Sequence, residues 1–287
     1  MEKRKNIGCD AMSKFIETPN CLKVDSVFTF FSREANSKFY FPGESHPYWE
    51  LVYVSKGNVG VTADDRIYML SEGSLVLHKP MEFHRIWASE GTTPSYNVIS
   101  FTASGSMISL LENKVVKCTD VMNMLLKEVF DGRFRAYDFK NDWVIDDIKN
   151  EHETFRCIKL LELALNDAAV CADVICPENS GDAKLFAKAV FFLSENLSNK
   201  VTLDELAEYC FVSLTKIKRV FTKYVGCGVS EYFNHMKINE ARKLLYDGHS
   251  VSYVSDKMGF SNQFYFSSVF KKITGFTPTQ YKKRKIF

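Results

Sequence analysis

Apolar positions recur with two different periods along this chain, and the change of period divides it. From Val27 to about Phe101 there are short strand-like runs: Phe28–Phe31, Leu51–Val54, Val59–Thr62, Arg66–Leu70, Leu75–Leu77 and Tyr96–Phe101. Brief gaps containing Gly, Asp, Ser and Pro separate them, which predicts an antiparallel sandwich or barrel. Further on, the spacing becomes three and four. Asp120–Phe130 carries Val121, Met124, Leu125 and Val129 on one stripe, and Glu151–Val170 carries Phe155, Ile158, Leu161, Leu165 and Ala169. The second stripe is longer than one neighbouring layer needs and is expected to mediate self-association through Leu161 and Leu165. The segment 176–182, Cys-Pro-Glu-Asn-Ser-Gly-Asp, breaks every pattern and reads as a linker.

The last third writes one helical pattern twice. Phe221, Gly226 and Tyr232 return forty-nine positions later as Phe270, Gly275 and Tyr281. The lead-in Leu203-x-x-Leu206-Ala207 returns as Val251-x-x-Val254-Ser255 at an offset of forty-eight, so one extra residue sits in the second turn, at Gly259–Ser261. Each copy reads as a short helix, a tight turn, a capping Ser213 or Asn262, and a second amphipathic helix. That is a duplicated helix-turn-helix. Gly226 and Gly275 follow the apolar stripes, where a left-handed residue ends a helix at no steric cost.

Charge separates the same two regions. Residues 183–287 hold 17 basic and 8 acidic side chains, net +9, whereas residues 1–182 hold 20 and 27, net −7. Cations that neutralise phosphates release counterions, so a basic helical part joined to an acidic part points to a nucleic-acid reader attached to a non-binding module. The 46% hydrophobic content suffices for two cores. The eight cysteines form no Cys-x-x-Cys pair; with no signal peptide or membrane-spanning apolar run, reduced thiols in the cytoplasm and no membrane partner are expected.

The run Gly259–Tyr281, with Ser213, Arg219, Phe221, Gly226, Tyr232, Asn239, Ala241 and Leu244-Leu245 upstream, resembles the C-terminal signature of AraC-family transcription regulators. The resemblance implies two helix-turn-helix units joined by a long helix at about 229–246, presenting two recognition helices to successive major-groove segments of double-stranded DNA. In the first helix Ile217, Val220, Phe221 and Tyr224 form the apolar stripe, leaving Thr215, Lys216, Lys218, Arg219 and Lys223 for bases and phosphates. The resemblance places Thr215, Lys218 and Arg219 at base-reading positions, and Arg219 has the fork that grips guanine. In the second unit Phe264, Tyr265 and Ser268 hold the matching positions, with Asn262, Gln263, Lys271 and Lys272 beside them. Phe264 either meets a thymine methyl or tucks into the core.

Ahead of this part, His46, Glu50, Gly57, Gly73, Pro80 and His84 look like the cupin pattern that serves as a sensor barrel in many AraC-family proteins. Metal-binding cupins converge three histidines and a carboxylate on one ion; Tyr48 takes one histidine position here, so no metal or other cofactor is expected. The residues suit a small-ligand pocket, with His46, Tyr48, Glu50, His84 and Trp87 as ligand contacts and Tyr40, Trp49, Tyr53 and Phe83 as further aromatic walls or as core. No catalytic constellation or phosphate loop is apparent.

The expected architecture is α+β: a cupin-like antiparallel barrel with a helical dimerisation layer over 1–175, a linker over 176–182, and an all-α double helix-turn-helix domain over 183–287. The expected function is that of a non-enzymatic, homodimeric transcription regulator, an activator by resemblance, that responds to a small-molecule effector and contacts RNA polymerase. The alternatives are a metal-dependent cupin enzyme fused to a DNA-binding module and a regulator without effector control.

Overall fold

The computed structural model describes residues 21–284 apart from 42, 90 and 172. One sheet runs in the order β1 (Lys23–Glu34), β7 (Ser95–Ser104), β2 (Trp49–Lys56), β5 (Ser74–His78), β8 (Val115–Lys117) and β11 (Val174–Ile175). A second sheet, in the order β4 (Arg66–Ser71), β3 (Asn58–Ala63) and β6 (His84–Ala88), faces it across a shared apolar core. β9 (Tyr137–Phe139) pairs with β10 (Ile145–Ile148) in a separate two-stranded sheet. All of these pairings are antiparallel. The strand-like runs read from the sequence all fall inside these elements; β6 and the short strands β8 to β11 were not anticipated.

Side chains alternate across a strand, and that parity assigns each face its task. In β2, Trp49, Leu51 and Tyr53 point to one side, where they join Phe30, Ile99 and Phe101 in a core closed by helices α1 (Asp120–Ala136) and α2 (Glu151–Val170). The intervening Val52 and Val54 pack against Val59, Val61 and Ile86 of the smaller sheet. Trp49 and Tyr53 are therefore core residues rather than pocket walls. The helices start where side-chain caps allow: Thr119 accepts from Met122 N–H, and Asn150 from Glu153 N–H.

Self-association through Leu161 and Leu165 is overturned. Both side chains have no solvent exposure and lie in the core between α2, α1 and the large sheet. A 20-residue helix here has two partners to cover, which occupies its stripe from Ile158 to Ala169 and leaves Phe155 in solvent. The apolar side chains that α2 leaves in solvent are Phe155, Leu163 and Val170.

The C-terminal half begins at α3 (Gly181–Glu195), capped by Ser180, so Gly181 and Asp182 of the expected linker are helical. Helices α4 (Leu203–Cys210) and α5 (Leu214–Val225) form the first helix-turn-helix, and α7 (Val251–Lys257) and α8 (Gln263–Thr274) form the second. Between them runs α6 (Val229–Tyr246), and α9 (Pro278–Arg284) closes the chain. Ser213 and Asn262 cap α5 and α8 as anticipated, and Gly226 and Gly275 end them in left-handed conformation. The extra residue of the second turn has a packing reason: Gly259 has φ +64°, and a Cβ there would stand 2.4 Å from the Ser198 carbonyl oxygen. Helix α6 serves both units, giving Tyr232 and Phe233 to one core and Ile238, Ala241 and Leu245 to the other. At the junction the Lys237 ammonium donates to the Asn199 and Met258 carbonyls, each at 2.8 Å.

Candidate effector cavity and nucleic-acid-reading face

A cavity of about 320 Å³ opens between the two sheets. Parity again selects its lining: Thr29, Phe31 and Arg33 of β1, Glu50 and Val52 of β2, and Tyr96, Val98 and Ser100 of β7 face inward. Of the anticipated ligand contacts, His46, Tyr48, Glu50 and His84 line this space. Trp87 does not. In β6, His84 and Ile86 face the cavity and the inter-sheet core, so Trp87, three residues after His84, is turned out over Gly60, where an added Cβ would stand 2.1 Å from its ring. Phe83 is likewise turned outward, and Tyr40 is exposed. The parity relative to His84 was available from sequence; the strand itself was not recognised.

One wall of the cavity is a dense polar cluster. Glu50 Oε2 lies 3.2 Å from His46 Nε2 and Oε1 lies 3.2 Å from His84 Nε2, while Ser100 Oγ donates to Oε2 at 2.9 Å. Burial works against charge on both Glu50 and His84, but their pairing outweighs it: the Glu50 carboxyl is held well below the usual carboxylate range and the His84 imidazole is pushed up to about 9. The His46 ring stacks on Tyr48 at 4.1 Å, and the His84 ring on His78 at 4.4 Å. His78 Nδ1 in turn lies 2.9 Å from Glu82 Oε2. Glu44, absent from the sequence reading, brings a carboxylate oxygen within 4.8 Å of the ligand atoms of His46, Glu50 and His84. Its spacing of two from His46 was the available signal, since residues two apart in extended chain share a side.

The cavity also borders the helical half. Arg85 lines it, yet its guanidinium donates to the Phe41 carbonyl at 3.2 Å and to the Lys223 carbonyl at 3.3 Å, in the last turn of α5. Phe83 packs against α6, its ring edge-on to Tyr232 at 5.1 Å and to His235 at 5.4 Å, and the Tyr232 hydroxyl donates to the Asp64 carbonyl. On the other side of the cluster, Ser45 donates to Asn239 Oδ1, and the Ser45 carbonyl accepts from Arg242 at 2.9 Å.

On the helical half, Thr215, Lys218, Arg219 and Lys223 are exposed along α5, and Lys216 is half-buried. Asp182 binds this row: its carboxylate pairs with Lys216 and lies 3.4 Å from Arg219 and 3.6 Å from Lys223. The hydrogen bond from Lys216, then the charges of the other two, hold the Asp182 carboxyl below its ordinary value. On α8, Gln263, Tyr265, Ser268, Lys271 and Lys272 are exposed, and Asn262 spends its side-chain oxygen on the cap, accepting from Tyr265 N–H at 2.8 Å. Phe264 is 90% exposed, so its core alternative is excluded.

The model of an AraC-like ligand-binding domain matches residues 27–108, and that of a helix-turn-helix domain matches residues 206–284. The HTH-type transcriptional regulator YbfI of Bacillus subtilis is 26% identical over 230 residues, spanning 78% of this chain and 80% of its own. The HTH-type transcriptional activator RhaR of Escherichia coli is 23% identical over 266 residues, spanning 84% of this chain and 87% of its own.

The chain belongs to the AraC-type transcriptional regulators.

A crystal structure of ToxT from Vibrio cholerae aligns with 90% of this AraC-type chain and 98% of its own at 14% identity, with a TM-score of 0.39. In this regulator the ligand-binding match covers β1 to β7 and with them the cavity, and the helix-turn-helix match runs from α4 to α9. No helix among its described residues is long and apolar enough to cross a membrane.

Proposed function

We propose that this AraC-type regulator is a cytoplasmic, homodimeric activator whose contact with DNA and RNA polymerase is set by a small molecule in the inter-sheet cavity, and that it carries out no catalysis of its own. Arg85 carries the reading. This residue borders the cavity, while its side chain, on the outer side of β6 with Phe83 and Trp87, holds the last turn of α5. A ligand that shifts β6 through His84 moves Arg85 relative to the Lys223 carbonyl, so occupancy and the docking of the first helix-turn-helix are linked equilibria. The cavity lies within the usual size range of small-molecule sites and is not filled by its own side chains, which argues against a regulator without effector control.

DNA contacts in this reading are Thr215, Lys216, Lys218, Arg219 and Lys223 from α5, with Asn262, Gln263, Phe264, Tyr265, Ser268, Lys271 and Lys272 from α8. Ligand contacts are His46, Tyr48, Glu50 and His84, with Arg85 as the link to α5. The dimer contact moves to the outer side of α2, where Phe155, Leu163 and Val170 are exposed. The domain division is kept at the segment after β11, with the helical part beginning at Gly181.

A thermal-shift screen of metabolites on the full chain tests the proposal, since a ligand of the folded state raises apparent stability by mass action. The compound found should change operator affinity in the wild type, and Arg85→Ala should bind it while losing that response. An effector response that survives Arg85→Ala unchanged would overturn the linkage.

A further inference from the structure

The two helix-turn-helix units have separate apolar cores, both seated on α6, and a cavity of about 250 Å³ lies between them. Leu193, Leu206 and Phe233 line it from the first unit, and Gly259, Phe260 and Tyr265 from the second. Dispersion is lost across such a gap, so apolar packing there does little to fix how one unit is turned about α6 relative to the other. Polar and backbone contacts take that task. Lys237 stands in the middle of α6 and is 5% exposed. Its ammonium donates at 2.8 Å to the Asn199 carbonyl, in the α3–α4 connection of the first unit. It donates at the same distance to the Met258 carbonyl, at the C-terminal cap of α7 in the second. The charge also lies over the rings of Phe233 and Phe260, one from each core, at 4.6 and 5.6 Å. Burial pulls the Lys237 ammonium down to about 8, so an apolar side chain would fill the same space at less cost. What an apolar side chain could not do is donate to both units at once.

We propose that Lys237 is a positioning residue for DNA reading: it clasps the two units together and so sets the spacing and rotation of α5 and α8 that the protein accepts on an operator. This role rests on α5 and α8 being the DNA-reading helices, and it holds with or without an effector. Duplex DNA is a helical ruler on which each base pair advances roughly 3.4 Å and turns roughly 35°, so two helices held in fixed relation match one spacing of half-sites. Helix α6 alone sets distance along its axis. The Lys237 bonds reach off that axis, from the α3–α4 connection to the end of α7, and oppose rotation. Beside them the backbones meet directly, since a Cβ on Gly259 would stand 2.4 Å from the Ser198 carbonyl oxygen. A buried charge that costs stability while selecting one arrangement is a known use of such groups.

The probe is a duplex selected from random sequence by the full-length wild type, then remade with one base pair inserted into or removed from between its two footprinted half-sites. Wild type should lose at least about tenfold in affinity at either change, because half of its base contacts fall out of register. Lys237→Met keeps the apolar stem without the donors and should cut that penalty to less than about threefold, since the freed unit follows its half-site. Lys237→Arg still donates and should restore it. Gly259→Ala pushes the Ser198 backbone off the second turn without touching Lys237; it should weaken the penalty too, and decides if Lys237→Met fails to fold. Arg219→Ala is the control: it should weaken binding at all three spacings and leave the optimum in place. If it does not weaken binding, α5 is no reader, and the spacing profile of Lys237→Met still judges the clasp. A wild type indifferent to spacing would overturn the inference. So would a folded Lys237→Met that binds more weakly yet keeps the wild-type penalty, which would make Lys237 a stabilising contact alone.

Discussion

The two helix-turn-helix units descend from one pattern and end up in different surroundings. The first shares its core with the barrel: Ile67 and Phe83 pack with Phe186, Phe221 and Tyr232, and Arg85 holds the end of α5. The second keeps a core of its own, built from α6 to α9 around Phe266, Phe270 and Tyr281. Their outer faces differ as well. Helix α5 presents a row of cations tied to Asp182, whereas α8 presents Phe264 and Tyr265 to solvent. The barrel thus shares an apolar core with the first unit and meets the second through polar contacts of Ser45 with Asn239 and Arg242.

The largest effect that can break this contrast is at the shared core. Phe83 is 2% exposed, and Phe83→Ala should cost about 3–5 kcal/mol, read as a lower unfolding midpoint of the full chain. A change within about 0.5 kcal/mol would mean that the docking contributes nothing.

Base reading comes next. Arg219→Ala should lose about 1–3 kcal/mol and relax preference at one base pair, while Ser268→Ala leaves the base-by-base profile of the best operator site unchanged. Equal effects would make the two helices equivalent readers. Phe264→Ala sharpens the second unit's share. DNA affinity should fall by about 1 kcal/mol from a lost methyl contact, with thermal stability unaltered because the ring is already in solvent. A stability loss without an affinity loss would assign Phe264 a packing role. The smallest effect is at Asp182: Asp182→Asn frees Lys216, Arg219 and Lys223 for phosphates, and affinity should rise by less than about fivefold, most at low salt. A fall in affinity would show that Asp182 positions α5 for DNA.

Much of this contrast was readable from residue order, because periodicity and capping are local. Ser213 and Asn262 as caps, Gly226 and Gly275 as helix ends, and α6 at 229–246 follow from residues within a few positions of each other. Contacts between distant segments were not readable. Leu161 and Leu165 look like an interface stripe until α1 and the sheet are placed over them, and Phe83 looks like a pocket aromatic until α6 arrives at its ring. Strand β6 was missed because His84-Arg85-Ile86-Trp87 puts charge and bulk on both faces, with a cavity on one side and a helical half on the other. For the same reason Trp87 was assigned to the wrong side and Arg85 was overlooked. Glu44 escaped because the acid at 44 has no meaning until His84 is brought to it by the bridge between Glu44 and β6.

Amide hydrogen exchange on the full chain, wild type against Phe83→Ala, tests the unequal coupling most directly, since it reads local opening element by element. Protection should fall along α5 and the first half of α6, while α8 and the second half of α6 keep wild-type values. Equal loss in α5 and α8, or none in α5, would contradict selective control of the first unit by the barrel.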